Sequence, residues 1–99
     1  MREIEKYIQV SEICSSYQVD ISFVLELHEN GLIQCVSQQK EWYVEREQIG
    51  EVERMIRMRQ ELDLNVEGID VVVQLLQKIQ DMQNEVHRLE NRLRLYEND

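Results

Sequence analysis

Apolar residues recur along the last third of the chain at alternating steps of three and four: Val72, Leu75, Ile79, Met82, Val86, Leu89, Leu93 and Tyr96. This is the a/d spacing of a coiled coil, and it predicts one long helix from Asn65 to Tyr96 with a single stripe turned toward a partner helix. One helix cannot bury such a stripe, so the eight residues are expected to form the seam of a homodimer. In the first half of the helix Ile69, Val73 and Leu76 make a second apolar line beside the first. That line is expected to pack on the N-terminal part of the same chain while the seam runs on into a second copy.

Upstream the pattern is shorter-ranged. Ile4, Tyr7, Ile8 and Val10 predict a strand from Ile4 to Val10. Ser11 stands as an N-cap with Glu12 in the first turn of a short helix that carries Ile13 and Cys14. Asp20 caps a second helix carrying Ile21, Val24, Leu25 and Leu27, ended by Asn30 and Gly31 as left-handed residues. Two short helices and a tight turn make a helix-turn-helix. Leu32 to Val36 and Glu41 to Val44 then predict a hairpin around a four-residue loop, Ser37 to Lys40, which gives a winged arrangement. Glu45 to Leu62 carries Ile49, Val52, Ile56 and Leu62 near helical period. Its acids lie toward the N-terminal end and its arginines toward the other, as the helix dipole favours. Gly50 and Gly68 inside helical patterns each predict a packing reason. Asp63 and Leu64 form a joint, and Asn65 caps the long helix. The expected fold is mainly α: a winged helix-turn-helix domain over residues 1–64, with a small β-hairpin, followed by a long C-terminal dimerisation helix over residues 65–99.

Composition narrows the function classes. With 99 residues and 42% hydrophobic content, the part outside the long helix holds a small core, which dimer burial would reinforce. A net charge of -9 argues against a broad nucleic-acid footprint or attraction to anionic lipid and favours a basic partner or plain solubility. Cys14 and Cys35 have no C-x-x-C spacing, no secretory leader pattern opens the chain, and no apolar run is long enough for a bilayer. The expected setting is cytoplasmic, with reduced thiols. There is no glycine-rich phosphate loop, no G-x-S-x-G and no compact zinc spacing among Cys14, Cys35, His28 and His87, so neither catalysis, nor a metal, nor a cofactor is expected. The cysteines read as small buried hydrophobes and the histidines as surface residues. The helix-turn-helix invites a DNA-reading role, but no Lys or Arg stands between Lys6 and Lys40, while Glu12, Asp20, Glu26 and Glu29 lie in or beside the two short helices. A phosphate-lined groove would repel them; Lys40 and Arg46 in the hairpin region are too few to reverse the balance.

Several stretches resemble the MerR-like winged-helix class: Val10-Ser11-Glu12-Ile13, Glu29-Asn30-Gly31-Leu32-Ile33, and the hairpin end Trp42-Tyr43-Val44. The run Arg57-Met58-Arg59-Gln60-Glu61-Leu62-Asp63-Leu64-Asn65-Val66-Glu67-Gly68-Ile69, with the acidic-apolar helix after it, is similar to the chaperone modulatory protein CbpM family. That resemblance implies a dimer that binds the J domain of a DnaJ-type co-chaperone, the curved-DNA-binding protein CbpA, and inhibits its co-chaperone and DNA-binding activities. DNA-binding regulators of the class normally carry arginines in the second helix, where this chain reads Ile21-Ser22-Phe23-Val24-Leu25, and metal sensors carry cysteines around the dimerisation helix, where this chain has none.

A J domain engages its chaperone through a basic helix, so an acidic helical surface would cover that helix by competition. The candidate partner-binding positions are Glu61, Asp63, Glu67, Asp70 and Asp81, with Val66, Val71 or Met58 as an apolar anchor. A parallel dimer would face Glu85 with Glu90, whereas an antiparallel one would set Lys78 against Glu85, which favours the antiparallel pair. Two rival readings stay open. A MerR-type DNA-binding transcription regulator predicts salt-sensitive duplex binding, and a dimerisation scaffold predicts no J-domain contact.

Overall fold

The computed structural model describes residues 6–97. Strand β1 (Tyr7–Gln9) leads directly into helix α1 (Val10–Tyr17), a turn of three residues leads to helix α2 (Ile21–Glu29), and strands β2 (Cys35–Gln38) and β3 (Glu41–Glu45) form the wing. A single 3-10 turn (Arg46–Gln48) then opens onto helix α3 (Ile49–Leu62), and helix α4 (Val66–Glu97) ends the described chain. The three strands make one antiparallel sheet in the order β1-β3-β2. Ile8 and Cys35 flank Val44 in its inner row, whereas Gln9 and Val36 flank Tyr43 in the outer row. The alternation of strand side chains therefore puts Val44 and Cys35 in the core and leaves Val36 exposed.

One core joins α1, α2, β2, β3, α3 and the first turn of α4. Val10 and Ile13 of α1, Val24 and Leu27 of α2, Val44 of β3, and Val52, Met55 and Ile56 of α3 are buried in it. Val66 and Ile69, from the first turn of α4, belong to the same cluster, with Val72 and Val73 half-buried against it. From Gln74 onward every described residue of α4 is exposed. Of the second apolar line expected to pack on the domain, Ile69 and Val73 do so and Leu76 does not. At about 1.5 Å per residue, the last 24 described residues of α4 reach roughly 36 Å beyond that contact. This projection accounts for the 63 Å long axis of the molecule.

Several sequence expectations shift at element ends. The first helix begins at Val10 with Gln9 at the N-cap, so Ser11 lies inside the helix; the first strand is confined to Tyr7–Gln9, and Ile4 lies outside the described residues. The reason is packing, since Val10 is needed in the core as part of the helix. The hairpin loop is two residues, not four. Gln38 pairs with Glu41, and Gln39 and Lys40 both take positive φ, 51° and 66°. That is the twist-matching turn usually marked by Asn-Gly, here built from residues that do not advertise it. Leu32 to Gln34 stay outside the strand because they leave the helix through Gly31, at φ 77°. The helix expected from Glu45 starts at Ile49, after β3 and the 3-10 turn. Gly50 has nothing near it, so the packing reason expected for it is absent. A Cβ on Gly68 would meet Asn65 Oδ1 at 3.1 Å, so there the expectation holds.

Two side-chain amides tie the elements together. Gln48 accepts from Gln34 N at 2.8 Å and donates back to Gln34 O at 3.0 Å, fixing the loop before β2 to the start of α3. Gln60 donates to Tyr17 O at 2.6 Å, fixing the end of α3 to the end of α1. Asn65 caps α4 as expected, its Oδ1 accepting from Gly68 N at 2.8 Å. His28 is half-buried rather than a surface residue. Its Nδ1 accepts the Cys35 N–H at 3.1 Å, and its ring lies 5.7 Å from that of Trp42. Cys14 and Cys35 are free and buried. Burial, and secondarily the nearby Cys14, pushes the Cys35 thiol up to about 11, and burial with the Asp20 charge raises Cys14.

Two outcomes follow for stability. Asn65→Ala should cost about 1 kcal/mol through loss of the cap, while Gly50→Ala should add roughly 0.5 kcal/mol because the new methyl meets open space. Urea denaturation of each variant checks both signs. A thiol raised above its ordinary value of 9.0 stabilises the fold fully below pH 9, and that contribution is lost as pH rises through about 11. The urea midpoint should therefore fall more steeply between pH 9 and 11 in the parent chain than in Cys35→Ala.

Candidate functional site

Helix α4 separates two surfaces. At about 100° per residue, Leu75, Ile79, Met82, Val86, Leu89 and Leu93 fall within about 40° of one line along the helix, with Asp70 and Asp81 turned roughly 120° to 140° away from it and Glu67 on its flank, roughly 80° away. The seam residues from Leu75 to Tyr96 keep between 49% and 73% of their surface exposed. Val72, the first of the eight, is instead half-buried against the chain's own core, so the uncovered seam starts one step later. A contiguous apolar stripe of this length marks an interaction surface.

The five acidic candidates cluster less tightly than their spacing along the chain suggests. Glu61, Asp63 and Glu67 are exposed around the joint, and Asp70 is half-buried one turn into α4, where its Oδ1 accepts from Gln74 Nε2 at 3.0 Å. Asp63 closes α3 in the left-handed conformation, at φ 55°, and its carboxylate receives Arg59 at 3.4 Å. Asp81 lies three turns beyond Asp70, roughly 16 Å along the axis, accepting from Gln77 at 3.1 Å. The structure thus gathers Glu61, Asp63, Glu67 and Asp70 at the base of α4 and leaves Asp81 apart.

Of the three apolar anchors considered, Val66 and Met58 are in the core and are unavailable for docking; Val71 is exposed. Leu62, flanked by Glu61 and Asp63, keeps 66% of its surface exposed and is the better placed side chain. The sequence pattern had assigned it to the buried face of α3. The signal was available in its position at the last residue of that helix, beyond the reach of the core.

Beyond Asp81 the same face of α4 becomes mixed in sign. Arg88 donates through Nε to Glu85 at 3.0 Å, and these hydrogen bonds, with help from Arg92, hold the Glu85 carboxyl below the usual range. Glu85 is thus engaged within its own helix, so its repulsion from Glu90 of a parallel partner no longer separates the two dimer orientations.

The helix-turn-helix offers little to a phosphate backbone. The exposed positions of α2 are Ile21, Ser22, Glu26 and Glu29, with no cation among them. Among the described residues no group of three or more His, Cys, Asp or Glu side chains is arranged to hold a metal ion, and no helix is long and apolar enough to cross a membrane.

The chain matches the model of the MerR HTH family regulatory protein over residues 8–91. It is similar to proteins named chaperone modulatory protein CbpM from Pseudomonas entomophila, 25% identical over 87 residues, and from Pseudomonas putida, 26% identical over 87 residues. In both cases the match covers 87% of this chain and 86% of the relative.

Proposed function

The chain belongs to the MerR HTH regulatory protein family, and we propose that it is a chaperone modulator that binds the J domain of a DnaJ/CbpA-type co-chaperone and inhibits its co-chaperone and DNA-binding activities. The observation that carries the reading is the division of labour on α4. Acidic side chains gather at its base, on the flank and back of the helix relative to an uncovered apolar seam, beside a helix-turn-helix whose two helices carry no Lys or Arg. Similarity to proteins named chaperone modulatory protein CbpM supports the same reading.

In this mechanism the seam from Leu75 to Tyr96 pairs two copies, with Val72 at the edge where the domain takes over. Each half-exposed seam residue gains on the order of 1 kcal/mol on burial, so the pair gains several kcal/mol per chain. The acids face outward and attract the basic helix by which a J domain engages its chaperone. Charge speeds encounter and excludes wrong partners, and Leu62 supplies apolar contact, whereas Val71, four residues before Leu75, lies on the seam side of α4. Occupying the basic helix blocks the chaperone by simple competition.

Titration calorimetry of the dimer against an isolated J domain at physiological salt should show saturable binding at one J domain per chain. Glu67→Lys with Asp70→Lys should weaken it about tenfold with an unchanged circular dichroism spectrum. Unaltered affinity would remove those two residues from the site, and absence of binding to any J domain of the source organism would overturn the reading, leaving duplex binding or simple dimerisation. In light scattering, Ile79→Asp with Leu89→Asp should halve the particle mass, since two buried charges on the seam cost more than the pair gains.

A further inference from the structure

A groove of about 580 Å3 lies between the beginning of α2 and the joint before α4. Asp20, Ser22 and Glu26 line it from the helix-turn-helix, and Arg59, Gln60 and Asp63 line it from the end of α3. Val19 and Phe23, both half-buried, and the buried Val66 give it an apolar base. Its size is on the order of one turn of α-helix with side chains, taking a diameter near 10 Å and a pitch of about 5.4 Å.

The polar groups on the α3 side are already engaged. Gln60 donates to Tyr17 O at 2.6 Å and Arg59 is held by Asp63 at 3.4 Å. On the α2 side they are not. Asp20 makes no capping hydrogen bond although it stands at the N-cap of α2, and among the described residues neither its carboxylate nor that of Glu26 has a hydrogen-bond or ion-pair partner. Three carboxylates therefore face one guanidinium that is already tied to one of them. The lining ends at Asn65 and Val66, so the groove meets the first turn of α4, the turn that carries Glu67.

We propose that this groove receives a cationic amphipathic helix of the protein partner, with Lys or Arg side chains of one turn reaching Asp20 and Glu26 and an apolar side chain set against Val19 and Phe23. The N-terminal half of α2, the part that reads base edges in DNA-binding helix-turn-helix proteins, thereby serves as one wall of a protein-docking site. Charge complementarity selects the occupant, because a cation entering here meets the carboxylates of Asp20 and Glu26 while an anion meets one guanidinium already paired with Asp63. The inference rests on the J-domain reading for the identity of the partner and extends that site from α4 onto the helix-turn-helix.

The test is a titration of the isotope-labelled full-length dimer with the J domain, read by amide chemical shifts, alongside the variant carrying Ser22→Lys and Glu26→Lys. Both positions are exposed, and thermal melting verifies that the variant is folded. Saturable shifts at residues 19–26 and 59–66, with affinity reduced about tenfold in the variant, are expected. Shifts confined to α4 beyond Asp70, or unchanged affinity in the folded variant, would overturn the groove while leaving the J-domain reading intact. If no J domain binds, that reading fails and the groove is decided by a Lys/Leu amphipathic helical peptide as probe. Shifts at the same residues, lost in the variant, support the groove; their absence or persistence overturns it.

Discussion

The first turn of α4 is anchored in the core of the winged domain, and much of the molecule's geometry depends on that anchorage. Val66 and Ile69 belong to one hydrophobic cluster with Leu27, Val44 and Ile56, so the long helix leaves the domain from a first turn packed in its core. The Asn65 cap fixes where the helix begins, and the left-handed Asp63 fixes the direction in which it leaves α3. With one end held, the orientation of every later residue is set by helical period alone. That is how a seam starting at Leu75 and the carboxylates of Glu67 and Asp70 keep to different faces.

Charge and shape then act on different parts of the same surface. The winged domain retains the two short helices and hairpin of its family, yet the exposed side of α2 carries Glu26 and Glu29 in place of the cations a phosphate backbone requires. Family membership therefore describes the architecture, while the electrostatics of this chain argue against a phosphate backbone as its ligand. The same logic explains why α4 changes character along its length. Near the domain its acids are mostly exposed, and further out Glu85 is compensated by Arg88, which leaves the base of the helix as the strongly negative region.

The apolar periodicity of the last third was legible because it follows from helical geometry over many residues, where local accidents average out. The Asn65 cap and the left-handed Gly31 were legible for a similar reason, since each rests on the preference of one residue, whereas Asp20 holds the N-cap position of α2 without a capping hydrogen bond. The two-residue turn at Gln39 and Lys40 was not, because neither residue favours the left-handed region and the strand register imposes it on both. Nor were the clasps Gln48 to Gln34 and Gln60 to Tyr17, which join residues 14 and 43 apart in the chain.

By itself the sequence determined the order of elements, the long helix, the seven-residue apolar repeat and the acidic balance, all of which are properties of local spacing and composition. Only the tertiary structure decided which of those residues remain available. It withdrew Val66 and Met58 into the core, half-covered Val72, left Leu62 exposed between two acids, and brought Asp20 and Glu26 alongside Asp63 across one groove. The physical reason is that burial and proximity belong to the packed arrangement of distant segments, whereas periodicity belongs to one segment alone.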